Sequence, residues 1–272
     1  MTVPLAKTLQ DIARRKRYLT VAHCADVHYP DHSQKALELA YKVYAVTQPD
    51  VIVVGSDEAD LSVLSSFAPD PDAVEQTIDV LDAFRAFHHS HVERIHAAAP
   101  NAQIVFIMGN HERRIYHFLA QHAPKLRRTV ERVWIETVQA GGRVHWLGNV
   151  SELLVHTLLV KHGDRTNEGV AKSMLIDTGF QVSIMAGHVH RTSAYSFTGY
   201  HRTVTAITSG CLCNLIPSYL AVKGVKPLRS WQNGTALATV DTKDGAVWIE
   251  NLLFLPHKNG LKTLLRGDVV TV

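Results

Sequence analysis

The chain has 272 residues, 46% of them hydrophobic and 19% charged, the ordinary balance of a globular protein with room for a real core. Its net charge of +3 admits an anionic substrate without demanding nucleic acid, and no run of about 18 apolar residues is present to span a membrane as a helix. Histidine is the unusual entry, at 17 residues, and directs attention to metal sites.

In chain order, residues 3–17 read as an amphipathic helix ending in the basic cluster Arg14-Arg15-Lys16-Arg17, taken as its solvated end. The short apolar stretch that follows imitates a secretory signal, but it runs directly into Asp26 and His28 and is read as the first core strand, residues 19–25. Helical periodicity over 34–46 and a short apolar run at 51–54 complete a strand–helix–strand unit, whose natural geometry is parallel. A loop at 56–71 precedes a long helix over 72–99, with Val74, Ile78, Leu81, Phe84 and Phe87 on one stripe. Residues 103–108 form another buried strand and 112–121 a helix. From about Val130 the pattern turns to strands, at 144–147, 153–160, 182–186, 194–197 and 204–208, interrupted by a helix at 168–177. A strand–turn–strand pair over 235–254 surrounds Asp244-Gly245. The order, α/β first and then mostly β, predicts an α/β fold of two packed mixed sheets flanked by helices, one domain over 1–272 with 1–17 as a helical extension.

Cys24, Cys211 and Cys213 form no disulfide framework, which points to a reducing compartment, the cytoplasm. The Cys211/Cys213 pair reads as small buried hydrophobes, with a soft-metal pair as the other reading.

Five segments each follow a predicted strand: Asp26-Val27-His28, Gly55 to Asp60, Gly109-Asn110-His111-Glu112, His162-Gly163 and Gly187-His188-Val189-His190. Ligands in α/β folds gather at strand carboxyl ends, so all five can converge on one crevice. Their donors are oxygen and nitrogen with no thiolate, a set that suits Mn²⁺, Fe or Zn²⁺ better than a structural zinc cage. Each segment alone is weak; five in this order are a strong signal.

Together they resemble the calcineurin-like metallophosphoesterase superfamily, whose pattern reads D-x-H, G-D-x-x-D, G-N-H-D/E, an isolated H and G-H-x-H. Ser56 stands where the family often has a second glycine, so Asp57-Glu58-Ala59-Asp60 aligns with D-x-x-D. The stretch from Ser209 to Cys213, followed by Trp231-Gln232-Asn233-Gly234, resembles phage-type members. The resemblance implies a four-layer α/β/β/α sandwich holding two divalent ions: Mn²⁺ first, with Fe, Zn²⁺ or Ni²⁺ as others. It implies that Asp26, His28 and His190 hold one ion, Asn110, His162 and His188 the other, and Asp57 both. His111 would touch the substrate phosphate or leaving group, and Asp60 would orient a ligand by a hydrogen bond. The physics agrees, because two cations about 3.5–4 Å apart acidify a bridging water and clamp a phosphate, and a shared carboxylate offsets their repulsion.

The implied activity is hydrolysis of phosphomonoesters or phosphodiesters. A DNA nuclease is the alternative, unsupported by any long basic or aromatic groove. A protein phosphatase lacks support because the arginine-bearing loop after the second motif is missing, and an inactive scaffold should have lost ligands that this chain keeps. Of the remaining candidates, His88, His89 and His91 are read as a solvated helix surface and His23, His145 and His156 as core or sheet-face residues. Arg113 and Arg114 are read as helix-surface charge, with a contact to phosphate as the other reading, and for Tyr29 and His32 a place lining the cleft is the other reading beside an ordinary loop position.

Overall fold

The computed structural model describes residues 5–64, 80–216 and 230–272. Two mixed sheets carry the fold. The first has the order β11-β10-β1-β2-β3-β4, from strands β1 (Tyr18–His23), β2 (Val51–Gly55), β3 (Gln103–Ile107), β4 (Val144–Trp146), β10 (Gly234–Asp241) and β11 (Val247–Leu253). Strands β1 to β4 are parallel, while β10 runs antiparallel to β1 and β11 antiparallel to β10. The second sheet has the order β5-β6-β7-β9-β8, from β5 (Glu152–Val155), β6 (Leu158–Lys161), β7 (Ser183–Ala186), β8 (Thr192–Thr198) and β9 (Thr203–Ser209). Its three inner strands β6, β7 and β9 are parallel.

Alternation along each strand decides the layers, because successive side chains point to opposite faces. Val21, Val51, Val53, Val105 and Ile107 face inward and meet Leu153, Val155, Leu158, Val160, Met185 and Ile207 of the second sheet. Their neighbours Ala22, Ile52, Val54, Ile104 and Phe106 face outward, under helices α2 (Gln34–Thr47), α3 (Val80–Ala98 as described), α4 (Arg114–His122) and α5 (Arg127–Val138). On the far side α6 (Val170–Asp177) lays Val170, Ala171, Met174 and Leu175 over Ile184, Ala186, Val204 and Ala206. The result is the four-layer α/β/β/α sandwich. Strands buried on both faces read as near-continuous apolar runs, as β2 and β7 do. Each fully buried aliphatic of this kind contributes about 1.5–3 kcal/mol.

Local signals fix the elements. The Ser33 hydroxyl accepts from the Ala36 amide at 3.3 Å and caps α2. Helix α1 (Leu5–Arg15) buries Leu5 and sets Leu9 and Ile12 against the inter-sheet core. The basic cluster after it is tied down in part, with Lys16 on Asp50 at 2.5 Å and Arg17 on Asp241 at 3.1 Å.

Four expectations are corrected or completed. The apolar run 153–160 is a hairpin, β5 and β6, joined through His156 and Thr157 with His156 at φ 57°, so His156 is a turn residue. Residues 127–138, where strands were expected to begin, form α5, which buries Trp134, Thr137 and Val138 at helical spacing. A third, antiparallel sheet of β12 (Leu255–His257), β13 (Gly260–Leu265) and β14 (Asp268–Thr271) packs Leu265 and Val270 on the helix-side core. The helix expected over 72–99 is described from Val80 onward; its Val74 and Ile78 lie outside the described residues. Among the described residues, no helix is long and apolar enough to cross a membrane.

Candidate metal centre

All five sequence segments sit at the carboxyl ends of parallel strands: β1, β2 and β3 of the first sheet, β6 and β7 of the second. Their backbones turn sharply there. Asp26, His28, Ser56, Asp57, His188 and His190 all have positive φ, between 53° and 74°. Non-glycine residues in this region cost on the order of 1–3 kcal/mol each and collect at functional sites. The turns also bring backbone against carboxylate. A Cβ on Gly109 would lie 2.0 Å from Asp57 Oδ1, and one on Gly187 2.5 Å from Asp26 Oδ2. Both positions therefore exclude any side chain.

The side chains converge. Nε2 of His28 lies 3.0 Å from Nε2 of His190, which lies 3.4 Å from Asp26 Oδ1. Nε2 of His162 lies 3.0 Å from His188 Nδ1 and 2.8 Å from Asn110 Oδ1. Asp57 stands between the two groups, its Oδ2 3.3 Å from His162 Nε2 and 3.9 Å from His28 Nε2. Donor atoms of Asp26, His28 and His190 lie close enough to share an ion, as do those of Asp57, His162 and His188. A third such grouping, His28, Asp57 and His111, includes the histidine that the motif reading keeps off the metals.

Outer partners fix the rings. Asp60 Oδ1 accepts from His28 at Nδ1 (3.1 Å) and meets His111 Nδ1 at 2.8 Å. Ser56 Oγ bonds His162 Nδ1 at 2.9 Å. Each of these turns Nε2 toward the cluster, the arrangement that orients ligating imidazoles. Glu112 accepts from the amides of Asp57, Ala59 and Gly109 at 3.1, 3.0 and 2.7 Å, clamping two of the motif loops together.

The electrostatics show a pocket short of positive charge. Burial pushes the Asp57 carboxyl well above its ordinary range, with the charges of Glu112 and Asp26 adding to it against the opposing pull of His111. Burial also pushes Asp26 up, but His190, then His162 and His28, outweigh it and hold it at about 2. Asp26 in turn raises His190 to about 9 against its own burial. Burial lowers His28 to about 4 and His162 well below its ordinary value. Burial lowers His111, but the Asp60 hydrogen bond and the charges of Asp57 and Asp60 together outweigh it, so its pKa is raised. Neutral imidazoles beside crowded carboxylates are what divalent cations need, so the residues present fit a metal centre.

Several residues of the site gave little sequence signal. Arg114 reaches the Asp60 carbonyl at 2.7 Å and comes within 3.2 Å of His111 Nε2, whereas Arg113 turns away toward Ser151. His88 and His91 are buried, not solvated: His88 Nδ1 lies 2.9 Å from Glu58, and His91 meets Tyr41 at 2.5 Å and Cys24 Sγ at 3.5 Å. Their i, i+3 spacing on a helix with Phe84 and Phe87 was the available signal. Tyr29 stacks on Phe87 and on His32, with ring centroids 4.5 and 5.6 Å apart.

The family model described as calcineurin-like phosphoesterase matches residues 19–203, and the chain belongs to this family. No curated protein matches. Similar solved structures include Vacuolar Protein Sorting 29 from Cryptosporidium parvum, at 11% identity and TM-score 0.42, covering 94% of this chain and 97% of that one. Chaetomium thermophilum Vps29 complexed with a cyclic peptide is similar at 9% identity and TM-score 0.45, with the same two coverages, 94% and 97%. A structure of PhoD is similar at 11% identity and TM-score 0.42, covering 92% of this chain and 72% of that one. At these identities nothing about activity follows from the likenesses.

Proposed function

We propose that the chain hydrolyses a phosphate ester, monoester or diester, with two divalent ions held where the two sheets meet at their carboxyl ends. Asp26, His28 and His190 would hold one ion and Asn110, His162 and His188 the other, with Asp57 shared between them. The observation that carries this reading is the position of Asp57 Oδ2, within 3.3 to 3.9 Å of His162, His111 and His28, histidines drawn from both sheets. Mn²⁺ is the preferred ion for so oxygen- and imidazole-rich a set. Two divalent ions held there would supply an acidified water and a clamp on the phosphate oxygens.

The chain's own residues do the rest. Asp60 holds Nδ1 of His111, leaving Nε2 toward the cluster, and the Asp60 hydrogen bond with the charges of Asp57 and Asp60 raises the ring's affinity for a proton. That ring is placed to give its proton to the departing oxygen. Arg114, anchored on the Asp60 carbonyl, sets a fixed positive charge beside it for a phosphate oxygen. Because both sheets contribute to this one centre, residues 1–272 are read as a single domain. The three free, buried cysteines fit a reducing compartment such as the cytoplasm.

The test is metal analysis of protein expressed with ample Mn²⁺, alongside a panel of monoesters, diesters, cyclic nucleotides and single- or double-stranded DNA. About two ions per chain with turnover of some member is expected. Metal-free protein from metal-replete cells would replace the enzyme by a scaffold, and turnover confined to DNA would make it a nuclease.

A further inference from the structure

Cys211 and Cys213 follow β9 in a segment pinned from several sides. The Asn233 amide donates to the carbonyls of Cys211 at 3.2 Å and Cys213 at 2.8 Å, and the Leu212 amide donates to the Asp26 carbonyl at 3.0 Å. Gly210, at φ 76°, allows the turn, and a Cβ there would meet the Gln232 carbonyl at 2.7 Å. Both cysteines are buried.

Their surroundings are not those of thiols filling an apolar core. The Cys211 sulfur faces the Gln232 carbonyl at 3.5 Å and the Asn233 amide nitrogen at 3.8 Å. The Cys213 sulfur lies 3.9 Å from Nδ1 of His190. This is the ring nitrogen opposite Nε2, which faces His28 and Asp26. Both sulfurs and a nitrogen of His190 lie within 4.8 Å of one another. Bonds of about 2.3 Å to sulfur and about 2.0 Å to nitrogen place the ligands of a tetrahedral zinc roughly 3.5–3.8 Å apart, so the cluster needs only a small contraction. The Trp231 ring stands edge-on to His190, centroids 4.0 Å apart, and limits how far that ring can move.

We propose that Cys211, Cys213 and His190 form a separate thiophilic site that takes a soft divalent cation, Zn²⁺ or Cd²⁺, behind the oxygen-and-nitrogen centre. Two thiolates cancel the charge of a divalent ion, so the buried site carries no net charge when filled. Filling it releases the two thiol protons to solvent. The donor chemistry separates this site from its neighbour: thiolates select soft metals, while carboxylates and an amide oxygen select harder ones. A neutral imidazole has a single free lone pair, so an ion on Nδ1 moves the ring proton to Nε2 and takes His190 off the Asp26 side. Soft metal then acts as an inhibitor from behind the active face, a consequence that rests on the phosphoesterase reading, whereas the site itself does not.

The experiment is titration of the Mn²⁺-loaded protein with Cd²⁺, read by the ultraviolet thiolate-to-cadmium charge-transfer band. The band should saturate at one equivalent, vanish in Cys211→Ser and in Cys213→Ser, and persist in Cys24→Ser. No band, a band that survives both serine variants, or one that also disappears in Cys24→Ser overturns the site. Should the serine variants fail to fold, cadmium NMR of the unaltered protein decides: a shift in the thiolate range supports the site and one in the oxygen–nitrogen range overturns it. None of these readouts uses hydrolysis, so the phosphoesterase reading can fail separately, by absence of Mn²⁺-dependent turnover before any Cd²⁺ is added.

Discussion

The two sheets bring different chemistry to the same crevice. From the first come Asp26, Asp57 and Asp60, the clamp Glu112, His28, Asn110 and His111; from the second come only imidazoles, His162, His188 and His190. One half supplies the carboxylates, the other supplies ring nitrogens alone. The lesson is that damage should depend on which sheet is altered and on whether charge or orientation is removed.

The largest effect should come from Asp57→Asn. This change removes the charge between the two groups, and turnover should fall to the level of chelator-treated protein, with metal content well below two per chain. Metal analysis with a rate measurement checks it; full metal occupancy and activity would dismiss the bridging role. Next is His111→Asn, which should leave metal content near two. Loss of a positioned acid costs about 10²–10⁴-fold where the leaving group is an alkoxide and far less for nitrophenolate. Equal losses in kcat/KM on both substrate types would mean that the ring stabilises phosphate charge instead, and loss of an ion would make it a ligand. Ser56→Ala removes only the partner of His162 Nδ1, so metal affinity should fall by about 10- to 100-fold and recover at high Mn²⁺. An unchanged metal titration would show that the hydroxyl does not orient the ring.

The smallest effect lies behind the first sheet, in the buried pair of Glu58 and His88. Burial lowers His88, but Glu58 more than compensates and its folded pKa is raised above 6.5; burial raises Glu58, but His88 more than compensates and it is lowered from 4.5. The histidine's contribution is therefore full below its unfolded value and lost as pH rises through the raised folded value. The carboxylate's contribution is present above its unfolded value and lost in acid. His88→Gln in metal-free protein should thus lower Tm most between these limits, by roughly 3–10 °C for the loss of about 1.5–3 kcal/mol, and least at alkaline pH. A Tm difference that is flat with pH would argue that shape alone matters there.

Much of this was readable in the sequence where one physical rule dominated. Parallel strands buried on both faces leave unbroken apolar runs, so β2, β3 and β7 announced themselves, and each was followed by its motif. The rule failed where two structures satisfy the same pattern. The run 153–160 is apolar but for His156 and Thr157, and the turn at these two, with His156 at φ 57°, makes it a hairpin instead of one strand. Arg127–Val138 holds many β-branched residues, yet its apolar positions fall at helical spacing and tertiary packing chose the helix. In the site, motif spacing supplied the inward donors but not what stands behind them. Ser56 passed as a small replacement for glycine although its hydroxyl orients His162, and the partners of His88 and His91 are distant in sequence.

The position of β1 has a consequence for how such a chain comes together. Tyr18–His23 pairs on one side with β2, about thirty residues on, and on the other with residues 236–241. As the ribosome extends the chain, the first strand gains one partner early, but its second edge stays open until more than two hundred further residues have been made. An open central edge is a template for pairing with the wrong chain, and contacts closed over so long a separation form slowly. The same strand that delivers Asp26 and His28 is thus the last of the parallel set to be sealed on both edges, and its open edge outlasts the synthesis of every candidate ligand of the metal centre, the last of which is His190.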